Sequence, residues 1–196
     1  MSDVNWAADP RAVVLEFANT HADAGGRVER LRSAETLGTW LQEVDWFGAT
    51  PEPEVLTDAD AAEVRQLRDA LVTMLLAHGG DPDIPAEETR RAEALMRRAG
   101  RRYPVTMEVD GNGARLLPLH DGLPGTLARV LGAASELAFA GDWSRLKACR
   151  NEPCHFAFAD RTRNTSAAYC SPQCASQASM RAYRARQKAA AAPKKS

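Results

Sequence analysis

Cys149-Arg150-Asn151-Glu152-Pro153-Cys154 and Tyr169-Cys170-Ser171-Pro172-Gln173-Cys174 hold all four cysteines of the 196-residue chain, in the pattern C-x4-C-x15-C-x3-C. Two short knuckles joined by an arm of this length bring four soft thiolates into a tetrahedron, the arrangement zinc favours. Disulfides and isolated buried thiols are the alternatives. The first speaks for export, but Met1-Ser2-Asp3-Val4-Asn5-Trp6 has neither the basic stretch nor the apolar core of a signal peptide. The second would not bunch four cysteines into 26 residues after 148 residues with none. Phe156, Phe158 and Tyr169 are the only large apolar side chains inside the window. They bury too little area to offset the cost of ordering it, and a bound metal supplies the remainder. His155 competes as a ligand, but adjacent residues seldom point at one metal. One Zn2+ held by Cys149, Cys154, Cys170 and Cys174 leaves no position open for water, so the site is expected to be structural.

The residues after the second knuckle carry a helix signal. Ser171 is a good N-cap and Pro172 sits at the first helical position, where its missing N–H costs nothing. Cys174 then falls in the first turn, where the helix dipole favours its thiolate. The helix is expected through Ala175, Ala178, Met180, Ala182, Ala185 and Ala189–Ala192, stopping before Pro193, with Ala189–Ser196 a frayed tail. Gln177, Arg181, Arg184 and Lys188 lie at i, i+4, i+7 and i+11 and share one face. A basic stripe rooted in a metal site suits a major groove or a phosphate backbone. A solvated basic tail is the plainer alternative.

Charge separates the chain at the same place. Residues 143–196 hold eleven Lys/Arg against Glu152 and Asp160, a net +9, while residues 1–142 hold 14 basic and 24 acidic residues, a net −10. That split reads as an acidic domain 1–142 and a basic domain 143–196 aimed at a polyanion. No apolar run reaches the length of a membrane span, and the expected address is the cytoplasm. No nucleophile elbow, phosphate loop or zinc-protease motif is present. His21, His78 and His120 are scattered. The expectation is a protein that is not an enzyme, with no catalytic residues.

The body reads as mostly helical. Residues 10–19 are apolar and ambiguous between helix and strand. Ser33 caps a helix through Leu37, Trp40, Leu41 and Val44, closed by Gly48 and followed by the linker Ala49–Pro53. Thr57 opens a helix on Val64, Leu67, Leu71 and Met74/Leu75 that stops at Gly79-Gly80. Pro85 opens another, ending at Gly100. Tyr103, Val105, Met107 and Val109 then alternate, Asp110-Gly111-Asn112-Gly113 turns, and Ala114–Leu119 returns as a β-hairpin. A last body helix runs from about Thr126 to Leu137.

These residues resemble the bacterial regulators that pair an N-terminal ABATE domain with a C-terminal CGNR-type zinc finger. In the finger the resemblance rests on Cys149-x4-Cys154, Phe158-x-Asp160-Arg161-Thr162-Arg163-Asn164, Tyr169-Cys170-Ser171-x-x-Cys174 and Arg181-x-Tyr183-Arg184-x-Arg186. In the body it rests on Leu15-Glu16-Phe17-Ala18-Asn19-Thr20, Thr36-Leu37 to Trp40-Leu41, and Leu67-Arg68-x-Ala70-Leu71. The resemblance implies a stress-related transcription regulator with zinc on the four cysteines. It also implies a DNA-binding role for the basic residues; together with the helix-face set, the candidate contacts are Arg161, Arg163, Asn164, Gln177, Arg181, Arg184, Arg186 and Lys188. The chain departs from the family in three places. The Gly-Asn-Arg after the fourth cysteine is Ala175-Ser176-Gln177, a basic pair before the third is Ala167-Ala168, and Ser179 stands where a base is frequent. The zinc ligands are untouched and the groove-facing inventory is thinner.

The expected architecture is mainly α (α+β): a helical N-terminal domain with one β-hairpin, then a treble-clef-like zinc finger with four cysteine ligands, ending in a basic helix. Glu16, Asn19, Thr20 and Arg27 are the candidate lining of an effector pocket; the alternative is that Asn19-Thr20 ends an element and Glu16 forms an ion pair. Duplex DNA is the expected partner. RNA, with Phe156, Phe158 or Tyr183 stacking on bases, is one alternative, and an acidic protein surface is another. A single finger making about six phosphate contacts is weak for a genomic site, which points to a homodimer.

Overall fold

A computed structural model describes residues 9–23, 26–44, 46, 56–111, 113–152 and 154–191. Gly48, the linker Ala49–Pro53, Gly25, Asn112 and residues 192–196 of the tail lie outside them. The ambiguous segment is a helix, α1 (Pro10–Ala18), continued by a 3-10 turn, Asn19–His21. Asp9 caps it by accepting from the Arg11 N–H, and Pro10 stands in the first turn, the two signals that decide for helix. A two-residue strand pair follows, β1 (Ala22–Asp23) with β2 (Gly26–Arg27).

α2 (Ala34–Glu43) and α3 (Asp58–His78) both begin with capping boxes, Ser33 with Thr36 and Thr57 with Asp60. In α3, Val64, Leu67, Leu71 and Leu75 face the core, as their spacing requires. Gly80 (φ 65) takes the left-handed conformation that ends the helix. α4 (Ala86–Arg102) runs through Gly100 instead of stopping there, because nothing in the next residues offers an alternative cap and Tyr103 N–H still reaches the Ala99 carbonyl at 2.8 Å. The predicted hairpin is β3 (Val105–Asp110) with β4 (Gly113–Pro118). α5 (Gly122–Phe139) starts four residues before the predicted Thr126: Gly122, at φ 63, turns the chain into the helix, and Pro124 stands in the first turn, where a missing N–H costs nothing.

The finger adds β5 (Leu146–Ala148), β6 (Ala157–Ala159) and α6 (Pro172–Ala191). Among the described residues there are three two-stranded antiparallel pairs, two of them in the body where one hairpin was expected; two- and three-residue strands leave too little alternation to read. One core runs from Val13, Phe17, Trp40, Leu71 and Leu127 into Leu146, Ala148 and Ala157, so the β5–β6 pair is packed into the helical body. A second cluster gathers Cys149, Cys154 and Cys174 with Phe156, Phe158 and Tyr169. Arg68, 2% exposed, is held by both oxygens of Glu29 at 2.7 and 2.9 Å and by Asp69. No described helix is long and apolar enough to cross a membrane.

Gly125 is required by a close approach. A β-carbon there would collide with the His120 carbonyl oxygen, a backbone atom that cannot step aside. At Gly132 the same atom would meet Val105 and Leu116 at an ordinary 3.7 and 3.8 Å. Gly125→Ala should therefore lower unfolding free energy by about 2 kcal/mol. Gly132→Ala should leave it unchanged or raise it by up to about 1 kcal/mol, both read by urea denaturation.

Candidate metal centre and nucleic-acid interface

The β5–β6 turn carries the first knuckle, and the start of α6 carries the second. Cys149 N–H donates to the Phe156 carbonyl at 3.0 Å, and Cys154 N–H to the Asn151 carbonyl at 2.7 Å, which folds residues 149–156 so that both sulfurs point inward. Ser171 Oγ accepts from Cys174 N–H at 3.2 Å, the N-cap that the sequence predicted. The four sulfurs lie within 4.8 Å of one another, with Cys154–Cys170 and Cys170–Cys174 at 3.7 Å. Four thiolates around zinc at roughly 2.3 Å span tetrahedral edges of about 3.8 Å, so the cage fits one ion. Burial pushes the Cys149 thiol up to about 11. At Cys174 burial acts in the same sense, but hydrogen bonds from Asn151 and Ser171 overcome it and bring the thiol down to about 7. The chain therefore supplies one ligand already near ionisation, and the metal must displace the proton from the buried Cys149 thiol.

His155 is not part of the cage. It has φ 49, and its Nδ1 lies 2.8 Å from an Arg27 nitrogen. A guanidinium can only donate, so Nδ1 accepts and the ring is neutral. Burial and the charge of Arg27 both lower its pKa.

Asn151 joins the two knuckles. Its Nδ2 donates to Gln177 Oε1 at 3.0 Å, and its Oδ1 accepts from Arg181. Two residues expected to face a groove, Gln177 and Arg181, are thus engaged with the first knuckle. Arg161, Arg163, Asn164, Arg184, Arg186 and Lys188 are exposed, and none of these five cations has an ion pair among the described residues. Past Ala178 every described α6 side chain is exposed, including Met180 and Tyr183.

The arm between the knuckles is held by a buried pair that sequence reasoning missed. Lys147 Nζ donates to Asp160 Oδ2 at 2.7 Å and to the Thr165 and Ala167 carbonyls at 2.6 and 3.1 Å. Asp160, with a fully buried side chain, also accepts from Thr162 Oγ1 and from the Thr162 and Ala167 N–H groups. Burial opposes its charge, but these donors outweigh that and hold the carboxyl well below the usual carboxylate range. The available signal was that Asp160 is one of only two acids in a strongly basic segment.

The expected pocket residues are spent on the fold. Glu16 accepts from Trp46 Nε1 at 3.1 Å, and Thr20 Oγ1 donates to the Phe17 carbonyl at 2.8 Å. The Asn19 amide donates to the Ala157 carbonyl at 3.0 Å and accepts from its N–H at 2.7 Å. Arg27 donates to the Glu152 carbonyl at 3.0 Å. A cleft of about 360 Å³ lies elsewhere, lined by Glu63, Arg102, Tyr103, His120 and Leu123 among others.

Replacing Lys147→Met should cost about 3–5 kcal/mol, because it leaves a buried carboxylate unpaired. The stabilisation from Asp160 should be complete above about pH 4 and vanish only as pH falls through its depressed value. Urea unfolding along a pH series, with Asp160→Asn flattening the acid limb, checks both. Metal analysis should find one zinc per chain, and chelation should reduce the helical circular dichroism contributed by α6.

Residues 11–141 match the ABATE family, described as "Putative stress-induced transcription regulator", and residues 145–187 match the CGNR zinc finger. No curated protein matches the chain.

Proposed function

This chain belongs to the ABATE family and carries a CGNR zinc finger, and from that premise we propose that it regulates transcription by binding duplex DNA through the finger. The observation that carries the reading is the free length of α6. The helix spans 20 residues, about 30 Å. It is rooted by Cys174 in the metal cage and by Gln177 and Arg181 on Asn151, and it presents Arg184, Arg186 and Lys188 without an ion pair among the described residues. An arm fixed at one end and cationic along its outer turns is suited to following phosphates or entering a major groove.

Within this reading the expected contacts divide. Arg161, Arg163, Arg184, Arg186 and Lys188 supply charge to the phosphates, with Asn164 beside them. Gln177 and Arg181 set the direction of the helix, and Arg181 adds charge. Duplex DNA is favoured over stacked single-stranded RNA because Phe156 and Phe158 pack around the thiolates, leaving Tyr183 as the finger's exposed aromatic among the described residues. The sensing role of the body moves from Glu16, Asn19, Thr20 and Arg27 to the cleft beside Tyr103 and His120. Two copies on one site would give the affinity that a single finger lacks.

Duplex-DNA binding by the zinc-loaded chain should fall with salt along a log–log slope near −5, from about six contacts at about 0.9 each. Arg184→Ala or Lys188→Ala should make the slope shallower by about 0.9. Cys170→Ser should abolish binding. Absence of binding at low salt, or binding that survives zinc removal unchanged, overturns the proposal.

A further inference from the structure

The body hairpin has two unequal edges. Leu119 N–H donates to the Pro104 carbonyl at 3.1 Å, which sets the alternation of the β3–β4 ladder. Thr106, Glu108 and Asp110 turn their backbone groups toward β4, and Val105, Met107 and Val109 turn theirs outward. No hydrogen bond among the described residues uses those outward groups. The outer edge of β4 is blunted by Pro118, which has no N–H to offer. The β3 edge has no proline, bulge or lysine, and its charges, Glu108 and Asp110, both lie on the face opposite Met107.

The same strand is amphipathic, and its apolar face is only partly covered. Val105 and Leu116 sit over Gly132 of α5, but farther along the hairpin Met107 is 66% exposed and Val109 69%. Phe139, 86% exposed, lies on the strip of α5 that carries Gly132, about two turns farther along. On the opposite face Glu108 pairs with Arg115 at 3.0 Å.

We propose that β3 pairs antiparallel with β3 of a second copy of this chain, Met107 opposite Met107, to form a four-stranded sheet. The register follows from the strand itself. Centred on Met107, Val105 meets Val109 of the other copy, and in all about six N–H···O bonds use every outward group. Glu108 then stands beside Thr106 of the other copy. Shifting the centre to Val109 would set Glu108 against Asp110, and like charges directly opposite are destabilising. An edge-to-edge antiparallel pair is two-fold by construction, so the contact closes at a dimer and does not propagate. The inference rests on the hairpin alone and stands whether or not the finger binds DNA.

Sedimentation equilibrium on the full zinc-loaded chain, without nucleic acid, tests it. The unaltered chain should dimerise. Met107→Pro removes the central outward N–H without touching a β3–β4 bond and should weaken the dimer about 10- to 100-fold. Met107→Lys places a charge on the edge and should act likewise. Both should keep the far-ultraviolet circular dichroism of the parent, because Met107 is exposed, and should melt at a temperature that no longer depends on protein concentration, as the parent's should. A parent chain that stays monomeric, or a dimer that survives both substitutions, overturns the proposal.

Discussion

Four sulfur atoms from two stretches of chain must meet around one ion, and every part of the finger depends on that meeting. Cys174 is the only buried residue of α6 among those described, so this long helix has almost no hydrophobic reason to lie where it does. Coordination replaces the packed face that an ordinary helix of this length would present to a core. The metal therefore acts on direction as well as stability: it decides where a row of arginines begins and which way it points.

The orientation is passed on to the body through backbone groups. The α3 C-terminus ends against the finger, where the His78 ring donates to the Leu146 carbonyl at 2.9 Å and Arg150 reaches the Gly79 carbonyl. A cation at that end of a helix is favoured by the helix dipole. On the other side the Asn19 amide makes paired bonds to Ala157, much as a neighbouring strand would. With Leu146, Ala148 and Ala157 in the common core, the β5–β6 pair is held by the body on one side and holds the cage on the other.

Much of this was legible in the sequence, and the reasons are specific. The cage could be read because thiolate spacing is a direct record of metal geometry, and α3 because its caps, apolar spacing and glycine stop agree. α6 was legible from Ser171-Pro172. The short strands were not, since a pair such as β5–β6 is fixed by what it packs on. Nor were the tasks of Asn19, Asn151, Lys147 and Asp160. Each is polar, and a polar residue in a sequence shows neither its burial nor its partner. For the same reason helical spacing put Gln177 and Arg181 on one face but could not show that both, though exposed, also reach Asn151 of the first knuckle.

The Asn151 bridge gives meaning to the departure at Ala175-Ser176-Gln177. A side-chain amide has one accepting end and one donating end. Here the accepting end takes Arg181, which can only donate, and the donating end needs an acceptor, which Gln177 supplies. An arginine at 177 would offer only donors: it could share the amide oxygen with Arg181, but it could not receive the Nδ2 bond that Gln177 now accepts. The substitution thus completes a polarity match within this chain. Glutamine and arginine at these two positions work as a complementary couple across one asparagine, the first receiving from its Nδ2 and the second donating to its Oδ1.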